Sequence, residues 1–288
     1  MSGSTAIWSP ERCDLGEGPL THHLRGSLVW CDINNARIYE RPFDSSDAAR
    51  VFDLPVMPSA AGIVDAGTIL VATENDFRFL DLDSGKQTVH RELATEADLR
   101  ANDGRVHPSG AFWIGTMAKD GRSRTGDIWR LFEGELTKLV ANVAVPNSIC
   151  FAADGSFAYF TDTPTRTIQK VATDPKDGTI VGEAEPFVVF EDDVAGGPDG
   201  SVVDGEGNLW NARWGGSAVD VYDRDGVRRA THLLPVRQPT CPSFIGANLD
   251  RVVTTSAAVG IEAVDGCDGA VIELNVPVVG REEPIVRP

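Results

Sequence analysis

Ser109-Gly110-Ala111-Phe112-Trp113-Ile114-Gly115-Thr116, followed after a polar break by Gly126-Asp127-Ile128-Trp129-Arg130-Leu131, is the stretch whose reading decides the architecture. A glycine turn leads into aromatic and β-branched residues, and a second such run follows, which is the composition of an antiparallel hairpin. Related units begin at Arg25-Gly26, Ala66-Gly67, Asp154-Gly155 and Glu206-Gly207, and a degraded one begins near Leu249-Asp250. The six copies start about 40 to 50 residues apart, the period expected of propeller blades.

On this reading each unit supplies the inner two strands of a blade, and flanking segments such as 135–140 and 185–190 supply the outer ones. No long amphipathic helix interrupts them, although residues 92–99 have the composition for a turn or two. The expected fold is all-β, a six-bladed β-propeller forming one domain over residues 1–288. In such a ring the loops before each innermost strand gather at one end of the central channel. Glu17, Asn102, Asn147 and Asp199 hold that position before units one, three, four and five.

Composition limits the partners. With 42% hydrophobic and 24% charged residues, the 288-residue chain can bury a sizeable core. Its formal charge of −17 argues against nucleic acid and against anionic membranes, both of which attract basic faces. No apolar run approaches the roughly 18 residues of a membrane span, and no signal-like leader precedes Cys13, so a cytoplasmic location is expected. The five cysteines are odd in number and form no CxxC pair, so buried inert thiols are expected.

Asp199 lies in Gly197-Pro198-Asp199-Gly200, Glu17 in Gly16-Glu17-Gly18-Pro19, and Asn147 follows Pro146. Glycine and proline constrain the backbone around each. Taken alone, Asp199 reads as a turn residue; converging with the other two, it joins a hard-oxygen set suited to Ca2+, Mg2+ or Mn2+, with Zn2+ and Fe2+ less favoured. Three protein donors would leave positions open for water and substrate. Arg100 and Asn102 are two residues apart, so in an extended segment both point to one face. The nearby Asn102-Asp103-Gly104 also reads as a simple turn.

Other chemistries find no support. GxSxG, HExxH and P-loop patterns are absent, and Asp223-Arg224-Asp225-Gly226 lacks the later glutamate of an EF-hand. The five histidines show no ligand spacing and are expected on the surface or in loops.

In order and spacing, Leu15-Gly16-Glu17-Gly18-Pro19, Arg100-Ala101-Asn102-Asp103-Gly104, Gly115-Thr116-Met117, Pro146-Asn147, Pro198-Asp199-Gly200 and Trp214-Gly215-Gly216 resemble the senescence marker protein/gluconolactonase/luciferin-regenerating family of six-bladed propeller lactonases. The resemblance covers nearly the whole chain. It implies hydrolysis of a sugar lactone, placing the chain in carbohydrate metabolism, with one divalent cation (Ca2+ foremost, or Mn2+, Zn2+, Mg2+ or Fe2+). It also implies Glu17, Asn147 and Asp199 as metal ligands, Asp199 as general base, and Arg100 and Asn102 as contacts to substrate or a coordinated water. Lys119 stands near where relatives often carry an acidic residue, and its loop is expected to line the pocket. The segment 238–246 also departs from the family pattern. Two alternatives stay open: an aryl ester or organophosphate hydrolase on the same metal site, and a non-catalytic Ca2+-binding propeller.

Overall fold

The computed structural model describes residues 4–93, 96, 98–121, 126–262 and 266–288. Among them, twenty-four β-strands form six four-stranded antiparallel sheets. After β1 (Thr5–Ser9), blade one contains β2 (Gly16–His22), β3 (Ser27–Asp32), β4 (Arg37–Pro42) and β5 (Arg50–Asp53). Blade two contains β6 (Pro58–Ile63), β7 (Thr68–Thr73), β8 (Asp76–Asp81) and β9 (Gln87–Glu92). Blade three contains β10 (Leu99–Val106), β11 (Phe112–Ala118), β12 (Gly126–Phe132) and β13 (Glu135–Val143). Blade four contains β14 (Pro146–Phe151), β15 (Phe157–Asp162), β16 (Thr167–Ala172) and β17 (Glu185–Val189). Blade five contains β18 (Gly197–Val203), β19 (Leu209–Trp214), β20 (Ala218–Tyr222) and β21 (Arg228–Leu233). Blade six contains β22 (Gln238–Ile245), β23 (Arg251–Ala257) and β24 (Val271–Leu274), and β1 pairs with β24 as its outermost strand. Joining the N-terminal strand to the last blade closes the ring, so the fold is a six-bladed β-propeller.

The first strand of each blade touches the first strands of its neighbours around a central channel. Burial falls outward: β6 and β14 are wholly buried, whereas β9 and β21 are mostly exposed. Six apolar clusters, one at each junction between neighbouring blades, hold the ring together. Large aromatics fill them: Trp113 meets Phe151 edge-on at 5.2 Å between blades three and four, and Trp210 meets Phe244 at 6.0 Å between blades five and six. Burying one such side chain is worth about 1.5–3 kcal/mol before geometry is counted.

The repeated units are the second and third strands of each blade, which corrects the expectation that they are the inner two. The segments expected as loops around Glu17, Asn102, Asn147 and Asp199 are themselves the innermost strands. Their prolines mislead because proline breaks a central strand, whereas these strands have one free edge, facing the channel, where no ladder partner is lost. The outer strands at 135–143 and 185–189 match expectation. The turn expected over 92–99 lies largely outside the described residues; Glu92 ends β9 and Leu99 begins β10. No helix among the described residues is long and apolar enough to cross a membrane.

Candidate functional site

Every innermost strand slips register against its neighbour near the channel's N-terminal mouth. The slips fall at Glu17/Leu20, Pro58/Ala60, Ala101/Gly104, Asn147/Cys150, Pro198/Ser201 and Pro239/Pro242. A bulge re-aims the side chain it carries, and six bulges at one height aim six side chains into one ring. Glu17, Ser59, Asn102, Asn147, Asp199 and Thr240 stand at or beside them, one per blade and all buried.

Four of the six donate toward the next blade. Ser59 Oγ donates to the Ala101 carbonyl at 2.7 Å, and Thr240 Oγ1 donates to that of Gly16 at 2.6 Å. Asn102 Nδ2 donates to the Pro146 carbonyl at 2.9 Å and to Asn147 Oδ1 at 3.0 Å. Asn147 reaches onward through a relay: its Nδ2 donates to Thr163 Oγ1 at 2.9 Å, and that hydroxyl donates to the Pro198 carbonyl at 2.9 Å. Each carbonyl reached belongs to the residue preceding the next ring member. Among the described residues the belt breaks after Asp199 and after Glu17, whose carboxyl groups accept the N–H groups of Gly200 and Gly18 and pass no bond on to the next blade.

Both carboxyl groups are therefore left with acceptor capacity inside a buried ring. Glu17 accepts the N–H of Gly18, and Asp199 that of Gly200. Burial pushes both acids well above the usual carboxylate range; the charge of Asp103 adds to the effect on Glu17, and the charges of Glu17 and Asp103 add to it on Asp199. Two acids buried this close together ionise together only with a counter-cation beside them. Asn147 Oδ1 spends one lone pair on Asn102 and keeps another, so the donor set is two carboxylates and an amide oxygen, which fits a hard divalent ion. Among the described residues no group of three or more His, Cys, Asp or Glu side chains could hold a metal; the set here takes its third donor from an amide.

Arg100 and Asn102 are brought together with this ring. Arg100 Nη1 donates to Asn102 Oδ1 and to the Ala101 carbonyl, both at 2.8 Å, and its charge opposes those of Glu17 and Asp199. Burial lowers the guanidinium to about 10, so it stays cationic at neutral pH. Lys119 follows β11, whose end pairs with the start of β10 at Leu99↔Ala118, on the same face of the ring. Its ammonium pairs with Glu74 at 2.6 Å and is partly exposed.

Sequence reading missed four members of this arrangement. Asp103, taken with its neighbours as a turn, is buried, accepts the N–H of Ile149 at 2.7 Å, and is pushed up to about 6 by burial. Ser59 and Thr240 complete the ring, and the Pro58-Ser59 and Pro239-Thr240 pairs repeat the Pro-x form of Pro146-Asn147 and Pro198-Asp199. That recurrence was the available signal. Thr163, in a 3-10 turn after β15, carried none.

All five cysteines are buried and unpaired, and burial pushes Cys150 up to about 12, consistent with inert thiols. His22, buried at the end of β2, departs from the expectation for the histidines, whereas His107 lies in the loop after β10 but is buried there. His107 is locked by accepting the Ser109 N–H on Nδ1 at 3.1 Å and bonding the Gly155 carbonyl through Nε2 at 3.0 Å.

A six-bladed propeller with an acidic, oxygen-rich cluster buried at one mouth of its channel defines the class of molecule. The family described as SMP-30/Gluconolactonase/LRE-like region matches residues 15–258, and the chain belongs to it. It is 37% identical to a putative sugar lactone lactonase of Rhizobium meliloti (strain 1021), covering 100% of this chain and 98% of that one. It is 33% identical to the pentonolactonase XacC of Haloferax volcanii, covering 94% of each. The crystal structure of a calcium-binding protein, regucalcin, from Agrobacterium tumefaciens str. C58 superposes with a TM-score of 0.95 at 37% identity, covering 99% of this chain and 98% of that one.

Proposed function

We propose that this enzyme opens a sugar aldonolactone to its hydroxy acid, using one divalent cation, foremost Ca2+, held by Glu17, Asn147 and Asp199. The chain is a lactone-hydrolysing carboxylic ester hydrolase, the class named in its relatives. The observation that carries the finer reading is the break in the hydrogen-bond belt at Glu17 and Asp199, which leaves two buried carboxyl groups with unused acceptor capacity.

When bound there, a divalent cation supplies Lewis acidity toward a lactone carbonyl and makes water more acidic. The chain's own residues do the rest. Asp199 accepts a proton from the attacking water as its oxygen bonds to the acyl carbon, and returns it to the ring oxygen as the acyl–oxygen bond breaks. Arg100, fixed by Asn102 Oδ1 and the Ala101 carbonyl, directs its remaining N–H groups at the substrate's oxygens and stabilises negative charge developing on the carbonyl. Asn102 holds Arg100 and Asn147 in place and keeps one Oδ1 lone pair for a substrate hydroxyl. Lys119 serves as an outer contact at the rim of the same face.

The test is a pH-indicator hydrolysis screen over aldono-1,4- and 1,5-lactones, simple aliphatic lactones, an aryl ester and an organophosphate, after chelation and with each metal restored. Sugar-lactone turnover that disappears on chelation and returns with metal is expected. Undiminished turnover by the chelated chain would overturn the metal assignment.

A further inference from the structure

The last residues of the chain cross the channel's opposite mouth. Gly205 donates its N–H to the Val279 carbonyl at 2.6 Å, and Gly280 donates to that of Leu249 at 2.8 Å, which docks the strap on blades five and six. Arg281 donates to the Phe151 carbonyl of blade four at 2.7 Å. Val286 then bonds the Ile63 carbonyl of blade two, and Arg287 that of Gly110 in blade three, both at 2.8 Å. Between these anchors Glu283 enters the channel and forms a buried ion pair with Arg105.

Arg105 belongs to β10, the strand that also carries Arg100, Asn102 and Asp103. Its Nη2 lies 3.7 Å from Cys241 Sγ of blade six, so the guanidinium spans the channel interior. The charge of Asp103 acts on Arg105 from one side and on Glu17 and Asp199 from the other. Charges thus stack along the channel: the two ring carboxylates, Asp103, Arg105, Glu283. These side chains are all buried and walled by strands, so each charge is less screened at the next than it would be at the surface.

We propose that Glu283 is a positioning residue that acts through Arg105: by neutralising that guanidinium beneath Asp103, it sets the cation affinity of the Glu17–Asn147–Asp199 cluster. The inference rests on the metal reading above, and it draws on a residue beyond the 15–258 stretch matched by the family. Without the Glu283 charge, the positive charge of Arg105 is offset on the channel side by Asp103 alone, and the excess repels a divalent ion. At the separations of a channel a few residues deep, the Coulomb effect on a divalent ion is on the order of ten-fold in affinity.

The test uses the full chain, chelated and titrated calorimetrically with Ca2+ and, separately, Mn2+, with the melting temperature of each variant recorded. Glu283→Gln keeps the shape of the side chain and one accepting oxygen and removes its charge; it is expected to weaken cation binding about ten-fold. The double variant Glu283→Gln/Arg105→Gln removes both charges and is expected to bind the cation within about three-fold of the wild type. A purely structural strap would give the opposite order, with the double variant weaker than the single. Wild-type affinity in Glu283→Gln, or no recovery in the double variant, would overturn the inference. A wild-type chain with no affinity for either ion would overturn the metal reading itself.

Discussion

Asn147 donates its amide N–H to Thr163 Oγ1 at 2.9 Å, and through that one hydroxyl the amide of blade four is tied to the carbonyl immediately before Asp199 in blade five. Together with the Asn102 donation to Asn147 Oδ1, this fixes which end of the amide faces the ring. An amide that turned over would present two N–H groups, which cannot bind a cation.

Thr163→Val keeps the volume and removes both hydrogen bonds. We expect cation affinity to fall about ten-fold or more, as for other partners that orient a metal ligand, with Thr163→Ser restoring most of it. Equal cation affinity in the Val and Ser variants, measured by calorimetry, would show that the hydroxyl has no orienting role.

Asn102→Ala removes the donor to Asn147 and the acceptor for Arg100 in one step. Turnover should drop by at least a hundred-fold, because the guanidinium then lacks a fixed direction and the freed Asn147 amide can turn. Steady-state kinetics with added metal checks this. A variant that lost only metal affinity and regained full kcat at saturating metal would assign Asn102 to the cation alone.

The ring carboxylates were legible from sequence because Gly16-Glu17-Gly18 and Pro198-Asp199-Gly200 stand out against ordinary strands. Ser59 and Thr240 had only the recurring Pro-x pair to mark them, and the role of a small hydroxyl there emerges once the blade register is known. The blade count followed from the period of the Gly-aromatic units, yet their place as middle strands did not, because the innermost strand tolerates proline along its free edge. Closure by β1 and the Arg105–Glu283 pair, 178 residues apart, are long-range pairings with no local signal.

Trp113 is fully buried at the junction of blades three and four, edge-on to Phe151, with its indole N–H donating to the Gly178 carbonyl at 3.0 Å. Trp113→Ala should cost about 3–5 kcal/mol, through the cavity and the stranded carbonyl. Urea unfolding measures it, and a loss under about 1 kcal/mol would mean that the junction repacks.

His107 is held neutral: burial lowers its pKa, and its Nδ1 is occupied in accepting the Ser109 N–H. A histidine whose folded pKa lies below the unfolded value of about 6.5 contributes stability that is complete above that pH and is lost as pH falls toward the folded pKa. His107 therefore contributes a loss of stability as pH falls below about 6.5, and His107→Gln should remove that contribution from the melting-temperature profile. Asp103, raised to about 6, and the raised carboxyl groups of Glu17 and Asp199 work in the opposite sense as pH falls, so the difference between wild type and variant is the quantity to follow. Parallel pH profiles would remove His107 from the acid response.

On the proposed function, Glu17, Asn147 and Asp199 hold the cation and Asp199 moves the proton. The most direct test is Asp199→Asn, which keeps the side chain's size and removes its charge, measured for sugar-lactone turnover and for Ca2+ binding in the same preparation. Loss of both, with the melting temperature of the metal-free chain retained or raised because one of two crowded buried acids is gone, is the expected result. Wild-type lactone turnover in a folded Asp199→Asn protein would contradict it.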